Sequence, residues 1–301
     1  MESIFVSIAS YRDPECSQTI KNLFEQASYP DRIFVGVCQQ NTPEDLNCIP
    51  QEFSRAHQVR IKTMPASEAR GPTLARYHCS NLYEGETYYL QIDSHTSFTL
   101  GWDDKFIGMY LLLPSVKSVL SYYPNSSSDM SNTKVGRICK YITDPIRNMV
   151  TFPGATLMTP EKFPTPSAFV TGCCFFAKAD FLREVPFDPN LPDLFTGEEI
   201  LFSARIWTHG WDIWSPNENL LYHHYDRPDK PKFWDDWNRV ADSRGDGDAL
   251  QRARFLLGMS KETGPITIDI DKYGMGIGMA RSLDEFWRFA GQDFSKNLTF
   301  N

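Results

Sequence analysis

Short apolar runs alternate with amphipathic stretches over the first hundred residues. The apolar runs are rich in β-branched and aromatic residues, and each is short enough to form one buried strand. They cover residues 3–11, 32–41, 58–65 and 87–93. Two intervening stretches predict helices. Residues 16–27 repeat apolar side chains at helical spacing, and residues 71–83 carry Pro72, which suits a first helical turn.

The alternation of strands with helices predicts the fold class. Strands separated by helices pair in parallel through right-handed crossovers, so the first hundred residues predict half of a doubly wound α/β sheet. Ligands of such sheets bind beyond the carboxyl ends of the strands. The sequence places residues 10–13, 39–41 and 93–95 at that edge.

The fourth apolar run ends in three polar residues, Asp93, Ser94 and His95. Side chains alternate along a strand, so Asp93 and His95 point roughly the same way and can share one cation. In the alternative interpretation Asp93 caps the following turn and His95 makes one ordinary hydrogen bond. The apolar strand before them and the polar stretch after them, which includes Asp103 and Asp104, favour a site.

A second polar constellation lies between residues 193 and 228. Glu198 and Glu199 precede an apolar helical pattern that is expected to end at Gly210. A helix dipole favours acidic residues in the first turn, so the two carboxylates need no functional reason. Further on, a strand over residues 219–225 would turn His223 and His224 to opposite faces. Either histidine can be a core residue, or one of them can complete a site begun by Asp93 and His95.

Composition and charge limit the classes of protein to which the chain can belong. With 301 residues, of which 41% are hydrophobic, the chain can bury a large core. The net charge is −8 and no Lys/Arg-rich run occurs, so we expect no nucleic-acid partner. No apolar stretch approaches the roughly 18 residues of a membrane span. We expect a protein without a transmembrane segment.

The cysteines indicate the redox compartment. The chain has 7 of them, an odd number, and none forms a CxxC pair. This pattern predicts reduced, buried thiols and not a disulfide framework or a zinc site. Together with a first stretch that lacks a basic signal-peptide region, it predicts a cytoplasmic protein.

Seven blocks, in order along nearly the whole chain, carry a family resemblance. The chain resembles the glycosyltransferases that attach N-acetylglucosamine (GlcNAc) to hydroxyproline of a cytoplasmic ubiquitin-ligase adaptor in protists. It is similar, more distantly, to the mucin-type polypeptide N-acetylgalactosaminyltransferases. The blocks are "SIASYRDP", "ARGPTLAR", "QIDSHTSFTLGWD", "VTGCCFFAKADFLREVPFDPNL", "TGEEILFSARIWTHGWD", "YHHYDRP" and "GIGMARSLDEFWRFAGQDF".

The resemblance implies the GT-A glycosyltransferase fold, an α/β class. A Rossmann-like nucleotide-binding half and an acceptor-binding C-terminal half would share a mixed central sheet. We expect one catalytic domain, with residues 1–105 binding the nucleotide sugar and residues 106–258 the acceptor. Residues 259–301 would be a C-terminal extension. The polar regions 123–137 and 225–258 are expected to shape the acceptor cleft.

The resemblance also implies a divalent metal held by a DxH motif and a further histidine. The ligands would be Asp93, His95 and either His223 or His224. Mixed carboxylate and imidazole ligands suit Mn²⁺, with Mg²⁺ as the alternative. Bound to the diphosphate, such an ion would neutralise the charge that develops on the leaving group.

For the donor, the resemblance implies uridine diphosphate (UDP)-GlcNAc and transfer with retention of configuration. The donor-binding residues would be Ser10, Arg12, Asp13, Arg70, Gly71, Arg76, Asp93 and Ser94. Gly172 would let the backbone approach the sugar. Glu198 and Glu199 would act with Asp93 as catalytic residues, in a positioning role. Without the resemblance, Arg12 and Arg76 would be interpreted as members of surface ion pairs.

The acceptor and the assembly stay open at this stage. The acceptor hydroxyl can belong to hydroxyproline, Ser or Thr of a protein, or to a glycan, and the oligomeric state is not readable. A polysaccharide-forming enzyme that uses another UDP-hexose is an alternative. Other nucleotide-dependent α/β enzymes lose support because the chain has no GxGxxG after its first strand and no P-loop motif. A non-catalytic carbohydrate- or protein-binding module would not need Asp93 and His95.

Overall fold

The computed structural model describes residues 2–49, 51–236, 247–262 and 274–295. The strands within these residues are short outside the central sheet. They are β1 Ile4–Tyr11, β2 Ile33–Asn41, β3 Val59–Pro65, β4 Tyr88–Asp93, β5 Thr96–Phe98, β6 Ser118–Ser121, β7 Asn125–Ser126, β8 Val135–Arg137, β9 Ile142–Asp144, β10 Met149–Thr151, β11 Thr156–Met158, β12 Thr165–Ser167, β13 Cys174–Lys178, β14 Asp212–Ser215 and β15 Leu221–His223.

The helices match the predicted pattern where the sequence signals were strongest. They are α1 Cys16–Glu25, α2 Pro72–Ser80, α3 Trp102–Leu111, α4 Phe181–Glu184, α5 Glu198–Thr208, α6 Phe233–Asp236, α7 Asp248–Leu256 and α8 Leu283–Ala290. Pro72 occupies the first turn of α2, as expected. Gly210, two residues after α5, adopts a positive φ of 87°, which ends the helix there.

The central sheet has eight strands in the order β12-β14-β6-β13-β4-β1-β2-β3. Strands β1 to β4 pair in parallel, which confirms the predicted α/β half. The sheet is mixed because β13 runs antiparallel to both β4 and β6. This strand brings the residues just before it, including Gly172, beside the carboxyl end of β4.

A small sheet, β5-β15-β7, lies next to that end. β5 follows β4 after a turn in which the Thr96 hydroxyl donates to the Asp93 carbonyl at 2.8 Å. β15 pairs antiparallel with β5 and sets His223 opposite Thr96. The small sheet therefore carries a histidine from late in the chain to the end of β4.

Apolar side chains pack on both faces of the central sheet. On one face, Ile20 and Leu23 of α1 and Trp102 and Phe106 of α3 are fully buried against the strands. On the other face, Phe175 and residues from α4 and α5 form a separate core. Burial of each large side chain stabilises the fold by roughly 1.5–3 kcal/mol, so the sheet is a rigid base for its edge.

Several predictions can be compared with the fold. All seven cysteines are free and buried, as expected. The strand predicted over 219–225 is shorter, Leu221–His223. None of the helices in the described part of the chain has both the length and the hydropathy that a membrane crossing requires. The boundaries between the predicted halves stay a prediction. Parts of the predicted acceptor region and C-terminal extension, residues 237–246, 263–273 and 296–301, lie outside the described residues.

Candidate functional site

A cleft of about 470 Å³ opens at the carboxyl ends of β1 and β4. Its volume is in the range of small-molecule sites, and its position is where α/β sheets bind their ligands. Asp13 and Asp93 line it from the first half of the chain, and Gly172, Glu198 and His223 line it from the second. The cleft is therefore built at the junction that the antiparallel strand β13 creates.

Asp93, His95 and His223 form a compact cluster in this cleft. One ligand atom from each lies within 4.8 Å of the others. His223 Nε2 is 3.0 Å from Asp93 Oδ2, and the two imidazole centroids are 4.6 Å apart. Burial raises the pKa of Asp93, but the hydrogen bond and charge of His223, with Arg76 and His95, outweigh it and hold that pKa well below its usual value. The carboxylate is thus ionised and available as a ligand.

His224 lies outside this cluster. Its Nδ1 is 2.9 Å from Glu15 Oε2, and its side chain is 40% exposed. The side chains of neighbouring strand residues point to opposite faces, so only His223 faces Asp93. Of the two histidines that the sequence left as alternatives, the structure brings His223 to the other two residues.

Asp13 orients His95. Asp13 Oδ2 lies 2.8 Å from His95 Nδ1 and accepts a hydrogen bond from the Ser94 hydroxyl at 2.6 Å. Arg227 Nη2 donates to the other carboxylate oxygen at 2.6 Å. Burial opposes ionisation, but the contacts with His95, Ser94 and Arg227 lower the pKa of Asp13 to about 2. A carboxylate behind an imidazole fixes the ring and leaves its other nitrogen for a metal.

The donor set fits a divalent cation. A carboxylate with two imidazoles is a ligand set that Mn²⁺ and similar first-row ions accept. His223 supports this reading, because its buried Nδ1 has no hydrogen-bond partner among the described residues. Asp93, His95 and His223 would hold the ion, and Asp13 would orient one of its ligands.

Arg76 connects the cluster to the start of α5. Its side chain is 6% exposed, and Nη2 lies 3.3 Å from Asp93 Oδ1 and 3.0 Å from the Gly172 carbonyl oxygen. It also forms an ion pair with Glu198. The arginine is not the surface residue that its sequence context suggested. It is a buried cation inside the cleft.

Gly172 is held by three side chains. Its amide donates to Glu199 Oε1 at 2.8 Å, and its carbonyl accepts from Arg76 and from Gln91 Nε2, the latter at 2.8 Å. A Cβ at this position would lie 2.7 Å from Arg76 Nη2. Any larger residue here would displace the Arg76 guanidinium.

We expect Gly172→Ala to lower donor turnover about tenfold or more, because the added methyl group displaces the guanidinium by several tenths of an ångström. Initial rates and the melting temperature would be measured together. Gly108→Ala is the matched control, since a Cβ there meets nothing within 4 Å. Equal activity of the two variants would show that the position of Arg76 is not limiting.

Several predicted donor residues do not line the cleft. Ser10 is buried, and Arg12 pairs with Asp45 and Asp236, each at 2.9 Å. Arg70 Nε donates to Asp193 at 2.7 Å. Gly71 does line the cleft and packs beneath Phe233, whose ring a Cβ would approach to 3.2 Å. The roles of Ser10, Arg12 and Arg70 in donor binding stay predictions.

Three polar residues of the site were not singled out from the sequence. Arg227 lies 2.5 Å from His95 Nδ1, and Tyr123 donates to Glu199 at 2.7 Å. Gln91 contacts Gly172 from β4. A signal existed for Gln91, which is polar within an apolar strand and shares a strand face with Asp93. Arg227 stands in the quoted "YHHYDRP" block, four residues after His223.

Aromatic side chains form the outer rim of the cleft. The rings of Phe195 and Trp234 are 4.8 Å apart, and Phe233 packs edge-on against Tyr11. Phe195 is 51% exposed, so an apolar surface faces solvent at the cleft entrance. The polar floor and apolar rim suit a ligand with a charged part and a bulkier outer part.

A mixed α/β sheet with an Asp-His-His cluster in a cleft at its edge is the arrangement that the resemblance to GT-A glycosyltransferases predicts. The comparisons with known proteins agree. Residues 3–56 and 49–296 match the family model described as "Glycosyltransferase (GlcNAc)". The chain therefore belongs to this GlcNAc glycosyltransferase family, which confirms the resemblance. No curated protein gives a significant match to the chain.

Solved structures show the same fold. The chain is similar to GalNAc-T7 with UDP, GalNAc and Mn²⁺, with a TM-score of 0.60, 12% identity, and coverage of 95% of this chain and 56% of that chain. It is also similar to S. aureus TarS 1-349 in complex with UDP-GlcNAc, with a TM-score of 0.51, 12% identity, and coverage of 87% and 68%. The chain thus spans little more than half of the GalNAc-T7 chain. The predicted GT-A fold is confirmed.

Proposed function

We propose that the protein is a metal-dependent, retaining glycosyltransferase that transfers GlcNAc from UDP-GlcNAc to a hydroxyl group. The observation that carries this proposal is the Asp93-His95-His223 cluster at the floor of the cleft. Family membership supports the sugar, and TarS, a structural neighbour, was solved with UDP-GlcNAc. Mn²⁺ is the proposed metal because of the ligand types and its presence in the GalNAc-T7 structure.

The charges around the cluster suit a diphosphate. Arg76, Arg227 and Lys232 line the same cleft as the three proposed ligands. Guanidinium groups bind phosphate oxygens through paired hydrogen bonds, and pre-positioned cations stabilise charge that develops in the transition state. A bound Mn²⁺ would supply the Lewis acid for the leaving diphosphate. Arg76 and Arg227 would orient the donor against it.

The two glutamates of α5 are proposed to position groups and not to attack the sugar. Glu198 is neutralised by Arg76, and Glu199 accepts hydrogen bonds from the Gly172 amide and from Tyr123. A nucleophilic carboxylate needs a free oxygen directed at the sugar carbon. We propose that the bond between the anomeric carbon and the β-phosphate oxygen breaks as the glycosidic bond forms on the same face, and that an oxygen of the leaving diphosphate takes the proton of the acceptor hydroxyl.

The acceptor is proposed to enter past the aromatic rim. The hydroxyl can belong to hydroxyproline, Ser or Thr of a protein, or to a glycan. Phe195 and Trp234 offer an apolar platform that either class can pack on. Seven reduced, buried cysteines support a cytoplasmic place of action, where such an acceptor would be met.

Calorimetric titration of UDP tests the donor site. We expect binding with Mn²⁺ to be at least about a hundredfold tighter than binding after chelation of metal, which corresponds to about 2.7 kcal/mol. The metal contributes this difference because it neutralises the diphosphate next to Asp93. ADP with Mn²⁺ is the matched control for recognition of the base.

Binding of UDP that does not change on chelation would contradict the proposed metal dependence. Equal binding of ADP would favour a different nucleotide-dependent enzyme. Once UDP binds, release of free sugar from UDP-GlcNAc, UDP-glucose and UDP-galactose can be compared. Preference for UDP-glucose or UDP-galactose would contradict the proposed donor and favour the polysaccharide-forming alternative.

A further inference from the structure

Glu199 differs from Asp13, Asp93 and Glu198 because the hydrogen-bond partners of its two oxygens are a backbone amide and a phenol, not an arginine or a histidine. Oε1 accepts the hydrogen bond of the Gly172 amide at 2.8 Å, and Oε2 accepts that of the Tyr123 hydroxyl at 2.7 Å. Within the described part of the chain, neither oxygen forms an ion pair with a cationic side chain. By contrast, Glu198 meets the cleft through its ion pair with Arg76. The neighbouring residues of α5 therefore have different environments.

Gly172 is the residue whose backbone Glu199 contacts. Its amide is bound from α5, and its carbonyl is bound from α2 by Arg76 and from β4 by Gln91. Three elements that are distant in sequence thus converge on the backbone of one residue. The amide and the carbonyl of Gly172 lie in successive peptide planes that share its Cα, and glycine rotates freely about φ and ψ, so the residue is restrained by contacts on both sides.

The carbonyl of Gly172 in turn positions Arg76. Arg76 Nη2 makes its 3.0 Å hydrogen bond to this oxygen and lies 3.3 Å from Asp93 Oδ1. The guanidinium packs so closely on Gly172 that an added Cβ would displace it. A shift of the Gly172 backbone is therefore expected to move Arg76 relative to the carboxylate in the metal cluster.

We infer that Glu199 is a positioning residue: together with Tyr123 it anchors the amide side of Gly172, and by restraining that residue it helps to hold Arg76, which contacts the Gly172 carbonyl, beside Asp93. It would not itself contact the sugar or the acceptor hydroxyl. The inference rests on the proposed function, because Glu199 would affect UDP binding through Asp93 and the metal. Groups that orient a metal ligand typically change metal affinity about 10–100-fold when removed.

The partners of Glu199 suggest a discriminating substitution. Removal from bulk water raises its pKa, although the Gly172 amide, Tyr123 and Arg76 oppose this effect. Both hydrogen-bond partners are uncharged, so a neutral side chain of the same shape should be tolerated. Gln keeps an oxygen for the Gly172 amide, and its NH₂ group can donate to the Tyr123 oxygen. Ala removes both contacts.

The experiment compares Glu199→Gln, Glu199→Ala and Tyr123→Phe with the wild-type protein. Affinity for UDP in the presence of Mn²⁺ would be measured by calorimetry. Hydrogen exchange of the peptide that contains Gly172 would be followed by mass spectrometry. We expect Glu199→Ala to weaken binding about tenfold or more and to speed exchange, whereas Glu199→Gln stays within about threefold. The UDP affinity and the exchange rate of Tyr123→Phe should lie between those of the two Glu199 variants.

Different results overturn different claims. Suppose that Glu199→Gln weakens UDP binding as much as Glu199→Ala does, while hydrogen exchange at Gly172 in Glu199→Gln stays as in the wild-type protein. The charge of Glu199 would then act on the ligand, and the inference would be wrong. If Glu199→Ala binds UDP as the wild-type protein does, Glu199 does not position Arg76 and the inference is wrong. If the wild-type protein itself fails to bind UDP with Mn²⁺, the proposed function falls and this inference with it. Melting temperatures would identify a misfolded variant, in which case Tyr123→Phe decides alone.

Discussion

Asp93→Asn is expected to abolish manganese-dependent binding of UDP and to lower sugar transfer at least about a thousandfold, or about 4 kcal/mol of transition-state stabilisation. The amide has the size of the carboxylate but lacks the negative charge that a divalent cation requires. Asp93 also accepts the contacts of His223 and Arg76, so a neutral side chain removes the centre of the cluster. Calorimetry with UDP and Mn²⁺ and initial rates with UDP-GlcNAc would measure both losses.

The two adjacent histidines provide a matched control for this prediction. His223→Ala should resemble Asp93→Asn, because His223 faces the cluster. His224→Ala should retain binding within a few-fold, because its side chain is turned towards Glu15. If His224→Ala were as damaging as His223→Ala, the assignment of ligands from the cluster would be contradicted. Retained metal dependence in Asp93→Asn would contradict the site itself.

The second large effect is expected for Arg76→Lys. We expect catalytic efficiency, kcat/KM for the donor, to fall at least about a hundredfold, or about 2.7 kcal/mol. The planar guanidinium contacts Asp93, Glu198 and the Gly172 carbonyl at once, and an ammonium group cannot reproduce that arrangement. Loss of these contacts leaves two carboxylates and a carbonyl oxygen insufficiently paired. Rates and melting temperature would be measured on the same preparation.

Arg60→Lys is the control for a general loss of ion pairs. Arg60 lies on β3, away from the cleft, and contacts Glu84 and Glu86 at 3.0 and 2.7 Å. We expect that variant to lose some stability and to keep its catalytic efficiency. If both variants lost stability equally and neither lost efficiency, Arg76 would be a structural residue only.

The first half of the fold was predictable because its signals are local. The apolar runs of β1, β2 and β4 are almost continuous, and Pro72 and Gly210 mark helix ends through their own backbone preferences. The alternation of strands and helices then restricts the topology to a few right-handed arrangements. The short strands β7 to β12 were not predicted, since two or three residues carry too little periodicity.

Part of the site was predictable for the same reason. Asp93 and His95 are polar residues at the end of a buried strand, two positions apart, so their common direction follows from the strand period. The alternation also showed that His223 and His224 face opposite ways. It did not show which one faces Asp93, because that depends on the pairing of β15 with β5, and His223 and Asp93 are 130 residues apart.

Sequence patterns alone established an α/β protein with a polar site at one edge of its sheet, and ordered motifs established its family. The tertiary structure decided which side chains meet there. From the sequence, Arg76 is expected to be a surface residue of a helix. In the structure, the antiparallel strand β13 places Gly172 against Arg76, and the arginine is buried. Glu199 reads as one acid of a helix start, yet Gly172 and Tyr123 occupy both of its oxygens. Such contacts join elements far apart in the chain, so the local preferences of the backbone cannot predict them.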